Sequence, residues 1–221
     1  MHRNIYMVRR NNRPCMKGAI GTNQLEISPM SETRLWGETI RKLWFTETEK
    51  FRDHLLRLDK DSRRLRFGMA VNDDFIRNYA ERTGQFKSVI FGFFAGREMR
   101  AAAELRMIGD SWHGEAEAAF SVEREYQDSG VGTELLGRVI VAARNRGVDK
   151  LYMNCLSENR KMQRIAKKYE ADLFFDHGDV VGQLKPSLPT PLSLWTEAID
   201  NGNGFVMAVL EFPLGRLRPA A

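Results

Sequence analysis

The sequence predicts an α/β fold built on one mixed β-sheet, and three observations carry that expectation. Dense β-type runs joined by short polar links fill the middle of the chain, an arrangement that pairs neighbouring strands antiparallel. Beyond them strands alternate with amphipathic helices, which demands crossovers and some parallel pairing. Between the two patterns lies a glycine-containing turn, residues 127–132, that runs directly into a long helix.

The 221 residues suit one domain of ordinary size with extensions. A hydrophobic fraction of 43% is enough for a core without disulfides or metal. Residues 1–30 are polar, rich in Arg and Asn and without a sustained period, and read as a weakly structured basic arm. A short strand is expected over 39–44. From Glu47 a helix carries Phe51, Leu55 and Leu58 on one face. The run Asp59-Lys60-Asp61-Ser62 breaks it, and 63–67 reads as a short helical turn. Asn72 or Asp73 can cap the next helix, which bears Phe75, Ile76 and Tyr79. Strands follow over 89–94, 99–108 and 115–122, separated by the turn Ala95-Gly96-Arg97 and by a loop over 109–114 that contains His113.

The helix over 131–146 places Val131, Leu135, Val139 and Ala143 on one side, joined by Leu136 and Ile140, and Gly147 stops it. A strand over 151–156 comes next, with Ser157 as the expected cap of another helix. In that helix Met162, Ile165, Ala166 and Tyr169 share a face. Residues 171–175 read as a further strand. Residues 183–221 form a Pro-containing extension with a short helix over 193–199, and 205–212 is apolar enough for either a strand or a helix.

Composition also excludes function classes. Cys15 and Cys155 are too few and too scattered for a disulfide framework or a Cys-rich zinc site, and no metal is expected. That usage points to a reducing cytoplasm. No apolar run approaches the roughly 20 residues of a membrane span, and no secretory signal follows the basic start. The formal charge of +5 and pI of about 9.3 gather at the chain ends, in Arg3, Arg9, Arg10, Arg13 and Lys17 and in Arg216 and Arg218. Solvated tails explain them better than a nucleic-acid footprint, for which no zinc-finger or RNA-binding aromatic signature is present.

A glycine turn between a strand and a helix N-terminus suits an anion. The first helical N–H groups lack partners, the helix dipole adds positive potential, and glycine lets phosphate oxygens approach the backbone. No Gly-Lys-Ser/Thr follows, so the Walker pattern fails, and the dinucleotide fingerprint fails after its second glycine. With Gln127, Gly130 and Gly132 in place, the stretch resembles the Q/R-x-x-G-x-G/A pyrophosphate loop of the GCN5-related N-acetyltransferase (GNAT) superfamily. The resemblance continues through the strand at 116–122, the helix at 131–146, and Cys155 with Asn159, which is similar to that family's V-x-x-x-N. Residues 51–67 are similar to a segment of bacterial protein-acetyltransferase relatives, and the whole resemblance covers about 38–182.

The resemblance implies a mixed, mostly antiparallel, twisted sheet of about six or seven strands flanked by helices, with a splay between the fourth and fifth strands. It implies acetyl-CoA as cosubstrate and direct transfer to an amine, on a small molecule or a protein lysine; a homodimer is compatible with it. The backbone of Gln127, Asp128, Ser129, Gly130, Val131 and Gly132, with the Thr133 hydroxyl, would hold the pyrophosphate. The backbone of Val122 and Arg124 would pair with the pantetheine arm, and Asn159 would either bond near that arm or cap a helix. An amine with a pKa near 10.4 needs a base, for which Glu117 is the first candidate and Glu104 the second; His177 is a remote one. Two departures stand out. Asp128 occupies a position that is commonly Gly in the family, and Ala166 falls where a tyrosine acid is common, so Tyr169 does not inherit that role. Together these departures leave a non-catalytic acyl-CoA sensor as the alternative.

Overall fold

A computed structural model describes residues 37–83, 88–109 and 114–211. The basic arm, Cys15 and His113 lie outside the described residues. The sheet has seven strands in the order β1-β2-β3-β4-β5-β7-β6. These are β1 (Glu38–Lys42), β2 (Ser88–Ala95), β3 (Glu98–Ile108), β4 (Gly114–Val122), β5 (Val148–Leu156), β6 (Asp172–Asp176) and β7 (Asp179–Leu184). Every neighbouring pair is antiparallel except β4 and β5.

Alternation along the strands sorts side chains onto two faces. On one, Phe91, Phe93, Leu105, Leu151 and Met153 pack with Leu135, Leu136 and Val139 of α4 (Val131–Asn145). On the other, Ile90, Phe94 and Met99 meet Phe51 and Leu55 of α1 (Thr48–Arg57) and Ile76 of α3 (Asp73–Thr83). Asn72 caps α3, its Oδ1 accepting from Phe75 N at 2.8 Å.

Four expectations are corrected. The segment 63–67 is no isolated turn but belongs to the helix α2 (Lys60–Phe67). Leu58 is the C-cap of α1, and Asp59 immediately caps α2, accepting from Ser62 N at 3.0 Å. None of the α2 residues is buried, so hydrophobic periodicity had nothing to register. Asn159, not Ser157, caps α5 (Arg160–Lys168), because the helix begins only at Arg160 and Asn159 Oδ1 is the acceptor placed to take the Met162 N–H.

The third correction concerns the last strands. Of the strands that alternate with helices only β4 and β5 pair in parallel; β6, after α5, pairs antiparallel with β7, which lies between it and β5. The strand β7 runs two residues past 182, where the resemblance was expected to end. Finally, 193–199 is part of the longer helix α6 (Pro191–Glu211), which also takes in 205–211. Its Glu197 accepts from Arg146 Nη1 at 2.7 Å and from Asn145 Nδ2 at 2.6 Å, tying α6 to the end of α4. Among the described residues no helix is long and apolar enough to cross a membrane, and no cluster of His, Cys, Asp and Glu could hold a metal ion.

Candidate active site

Pairing between β4 and β5 begins at Gly114 with Val148 and ends at Glu117 with Tyr152. Both strands continue, β4 to Val122 and β5 to Leu156, without a rung between them. Residues 118–122 and 153–156 therefore face each other across a wedge whose apex is the Glu117 and Tyr152 rung. Glu123 N–H donates to Arg100 O of β3 at 3.0 Å, so by strand alternation the N–H of Val122 is directed into the wedge.

The chain leaves β4 through a 3-10 turn (Arg124–Tyr126) and enters the loop 127–132 at the open end of the wedge. Gln127 Nε2 donates to Val122 O at 3.1 Å, folding the loop back on the strand. Asp128 and Gly130 adopt the left-handed region, with φ of 60° and 87°. Ser129 Oγ donates to Tyr126 O at 2.6 Å. Gly130 is the N-cap of α4 and brings no side-chain acceptor to the first-turn amides of Val131, Gly132 and Thr133. From the α5 side Lys161 Nζ reaches across to Gln127 Oε1 at 3.0 Å and Asp128 Oδ2 at 2.7 Å. That hydrogen bond holds the Asp128 carboxyl below its usual range, so the departure from glycine carries its own counter-charge.

Other expected residues are placed as follows. Arg124 is exposed, its guanidinium 3.7 Å from both Asp59 and Asp61. Asn159 caps α5 at the end of β5, accepting from Met162 N at 3.1 Å. His177 is exposed beside Asp176, on the turn between β6 and β7. Cys155 lies on the part of β5 that pairs with β7 but not with β4, and burial pushes its thiol up to about 11, which removes nucleophilic thiolate near neutral pH.

Tyr169 packs as its position on the α5 face predicts. Its hydroxyl donates to Thr133 O at 2.9 Å and sits where a Cβ on Gly137 would come within 2.8 Å. The helix tolerates Gly137 because the ring of Tyr169 needs that space. Tyr169→Phe is expected to cost about 1 kcal/mol or less and to leave turnover within about five-fold of wild type, read by melting and by thiol release. Loss of most turnover at normal stability would return the proton-donor role to this hydroxyl.

The face of the sheet beneath α1, α2 and α3 is polar around the apex. Glu104 of β3 is 3% exposed, accepts from Arg66 Nη2 at 3.0 Å, and is bonded by the Tyr79 hydroxyl. Glu117 is more open, its side chain 20% exposed, with Arg106 Nη2 at 2.6 Å and Asn154 Nδ2 at 3.0 Å. The two candidate bases thus differ sharply: one is sealed under helices, the other stands at the wedge apex.

Sequence reasoning missed a second polar cluster, at the end of β4. His54 of α1, fully buried, lies 2.9 Å from Ser121 Oγ through Nε2 and 3.1 Å from Glu123 Oε1 through Nδ1. Glu123 also accepts from Arg57 Nε at 3.0 Å and Arg100 Nη1 at 2.9 Å. Burial raises the Glu123 carboxyl, but bonds from His54 and Arg100 outweigh it and the net shift is downward. Since that carboxylate only accepts, Nδ1–H donates to it, and Nε2 accepts from the serine hydroxyl. The signal was available: His54 shares the apolar face of Phe51, Leu55 and Leu58.

Burial lowers the His54 pKa, the bond to Glu123 opposing it. A histidine whose folded pKa is below its unfolded value of about 6.5 binds fewer protons when folded, so stability falls as pH drops below that value. The lowered Glu123 adds loss in the same direction further into acid. The melting temperature is expected to decline from about pH 6.5 downward, and His54→Gln to flatten the decline between pH 6.5 and 5.5. An equal decline in the variant would remove His54 as its source.

The family model for acetyltransferase (GNAT) matches residues 40–170. The chain belongs to the GNAT acetyltransferase family. Solved structures share its fold at low identity. The GNAT domain of S. lividans PAT superposes with a TM-score of 0.57 at 21% identity, covering 66% of this chain and 89% of that one. The ribosomal-protein-S18-alanine N-acetyltransferase from Escherichia coli gives 0.52 at 18%, covering 70% and 97%. yncA from Salmonella typhimurium, solved with its cofactor acetyl-CoA, gives 0.50 at 18%, covering 68% and 95%.

Proposed function

We propose that this GNAT protein transfers an acetyl group from acetyl-CoA to a primary amine by direct attack. The observation that carries the reading is the wedge between β4 and β5, which opens onto the α4 N-terminus and has Glu117 at its apex. Residues 118–122 offer an unpaired strand edge to which an extended pantetheine arm can add. The backbone of Val122 and Arg124 takes that arm, with Asn159 beside it. The amides of 127–132 with Thr133 take the pyrophosphate, and Lys161 shields the phosphate from Asp128. Acetyl-CoA supplies the activated acyl group and a thiol leaving group.

The chain's own part is to hold the thioester against the apex, exclude water, and accept the amine proton. Glu117 fits that last role better than Glu104 because it stands open at the apex, whereas Glu104 is 3% exposed with Arg66 and Tyr79 both on its Oε2. Steady-state thiol release from acetyl-CoA with a panel of amines tests the proposal. Amine-dependent release supports transfer. Tight acetyl-CoA binding with no release for any amine would establish the sensor reading instead.

A further inference from the structure

We infer that the acceptor is a free α-amino acid, or an amine with an equally close carboxylate, recognised through Arg106. This rests on the amine-transfer reading and names the substrate class of the same apex. The polar face around the apex is matched charge for charge: Glu104 with Arg66 at 3.0 Å, Glu117 with Arg106 at 2.6 Å, and Glu115 with Lys150 at 3.2 Å. Such a wall holds no surplus negative charge to draw in a simple alkylammonium or a polyamine.

The Arg106 and Glu117 pair is the one that reaches the apex. They are register partners across β3 and β4, and Glu117 forms the last rung before β5 parts. Both remain partly open, at 40% and 20% exposure. Once an ammonium has handed its proton to Glu117 that side chain is neutral, and Arg106 is left without its counter-charge. A guanidinium left half-buried without its carboxylate is costly, and arginine cannot shed the charge. An acceptor with a carboxylate beside its amine removes the problem. Its carboxylate replaces Glu117 on Arg106, where a planar guanidinium can hold it by two bonds, while its ammonium meets Glu117. The pair of side chains is thus a mould of a zwitterion's head group, with each sign opposite its complement. A lysine side chain within a protein lacks the adjacent carboxylate and gains nothing from Arg106.

The test compares matched pairs on the wild-type protein: phenylalanine with phenethylamine, and lysine with cadaverine, followed by thiol release from acetyl-CoA. The α-amino acid of each pair is expected to have at least about ten-fold higher kcat/KM, with most of the difference in KM. Arg106→Gln should bring the ratio toward one by raising KM for the amino acid, and Arg106→Lys should retain part of it. Wild-type turnover of the decarboxylated amines, or of a lysine-containing peptide, at least as fast as of free amino acids would overturn the inference while leaving amine transfer standing. An undiminished preference in a folded Arg106→Gln protein would also overturn it. Thiol release with no member of any pair would sink amine transfer itself, and this inference with it.

Discussion

Replacing Gly130 with glutamate is expected to abolish measurable acetyl-CoA binding in a protein that still folds. Gly130 caps α4 with a φ of 87°, and no atom lies within 4 Å of where its Cβ would stand. Space is therefore available, and the structural cost is the left-handed backbone, about 1–2 kcal/mol for a residue with a side chain. For a chain of this size that lowers the melting temperature by roughly 2–8 °C. The binding cost is larger, because a carboxylate would stand where the α4 amides are proposed to receive the pyrophosphate, and affinity should fall by on the order of 10²-fold or more. Gly130→Ala carries the same backbone strain without the charge. Isothermal titration of both variants separates the two effects: the alanine protein should keep most of its affinity. Equal affinity in the glutamate variant and the wild type would remove the phosphate role from this loop.

The second large effect is expected at the apex. Glu117→Gln keeps the size of the side chain and removes its basicity, so turnover should fall by about 10²–10⁴-fold with acetyl-CoA affinity nearly unchanged. Glu104→Gln should behave in the opposite way. It strips the charge from the buried partner of Arg66, which is the kind of change that costs about 3–5 kcal/mol. One variant is then read chiefly in rate and the other chiefly in melting. A Glu117→Gln protein with wild-type turnover would move the base elsewhere, and a stable but inactive Glu104→Gln protein would say where.

What the sequence made legible follows from which signals are local. The amphipathic run of α4 and the turn at Gly130 read correctly because periodicity and glycine both act within a few residues. Glu117 could be nominated by residue type and by the family resemblance, but not ranked by environment. What separates it from Glu104 is burial under Arg66 and Tyr79, and those residues come from helices 38 and 25 positions away in the chain. α2 escaped because it buries no residue, leaving no hydrophobic stripe to detect. β7 escaped because its placement between β5 and β6 is a property of sheet order, to which a single strand's composition is blind. His54 lay in view on an apolar helix face, yet its partners Ser121 and Glu123 stand 67 and 69 residues away.

Among the described residues the rungs between β4 and β5 are the fewest of any neighbouring strands in the sheet. The sheet is therefore two stiff panels, β1 to β4 and β5 to β7, joined along a short seam. An extended ligand laid in the wedge adds backbone hydrogen bonds where the seam has none, and so acts as a removable stitch. The proposed pantetheine arm would thus close the seam by adding rungs to it, rather than by filling a cavity.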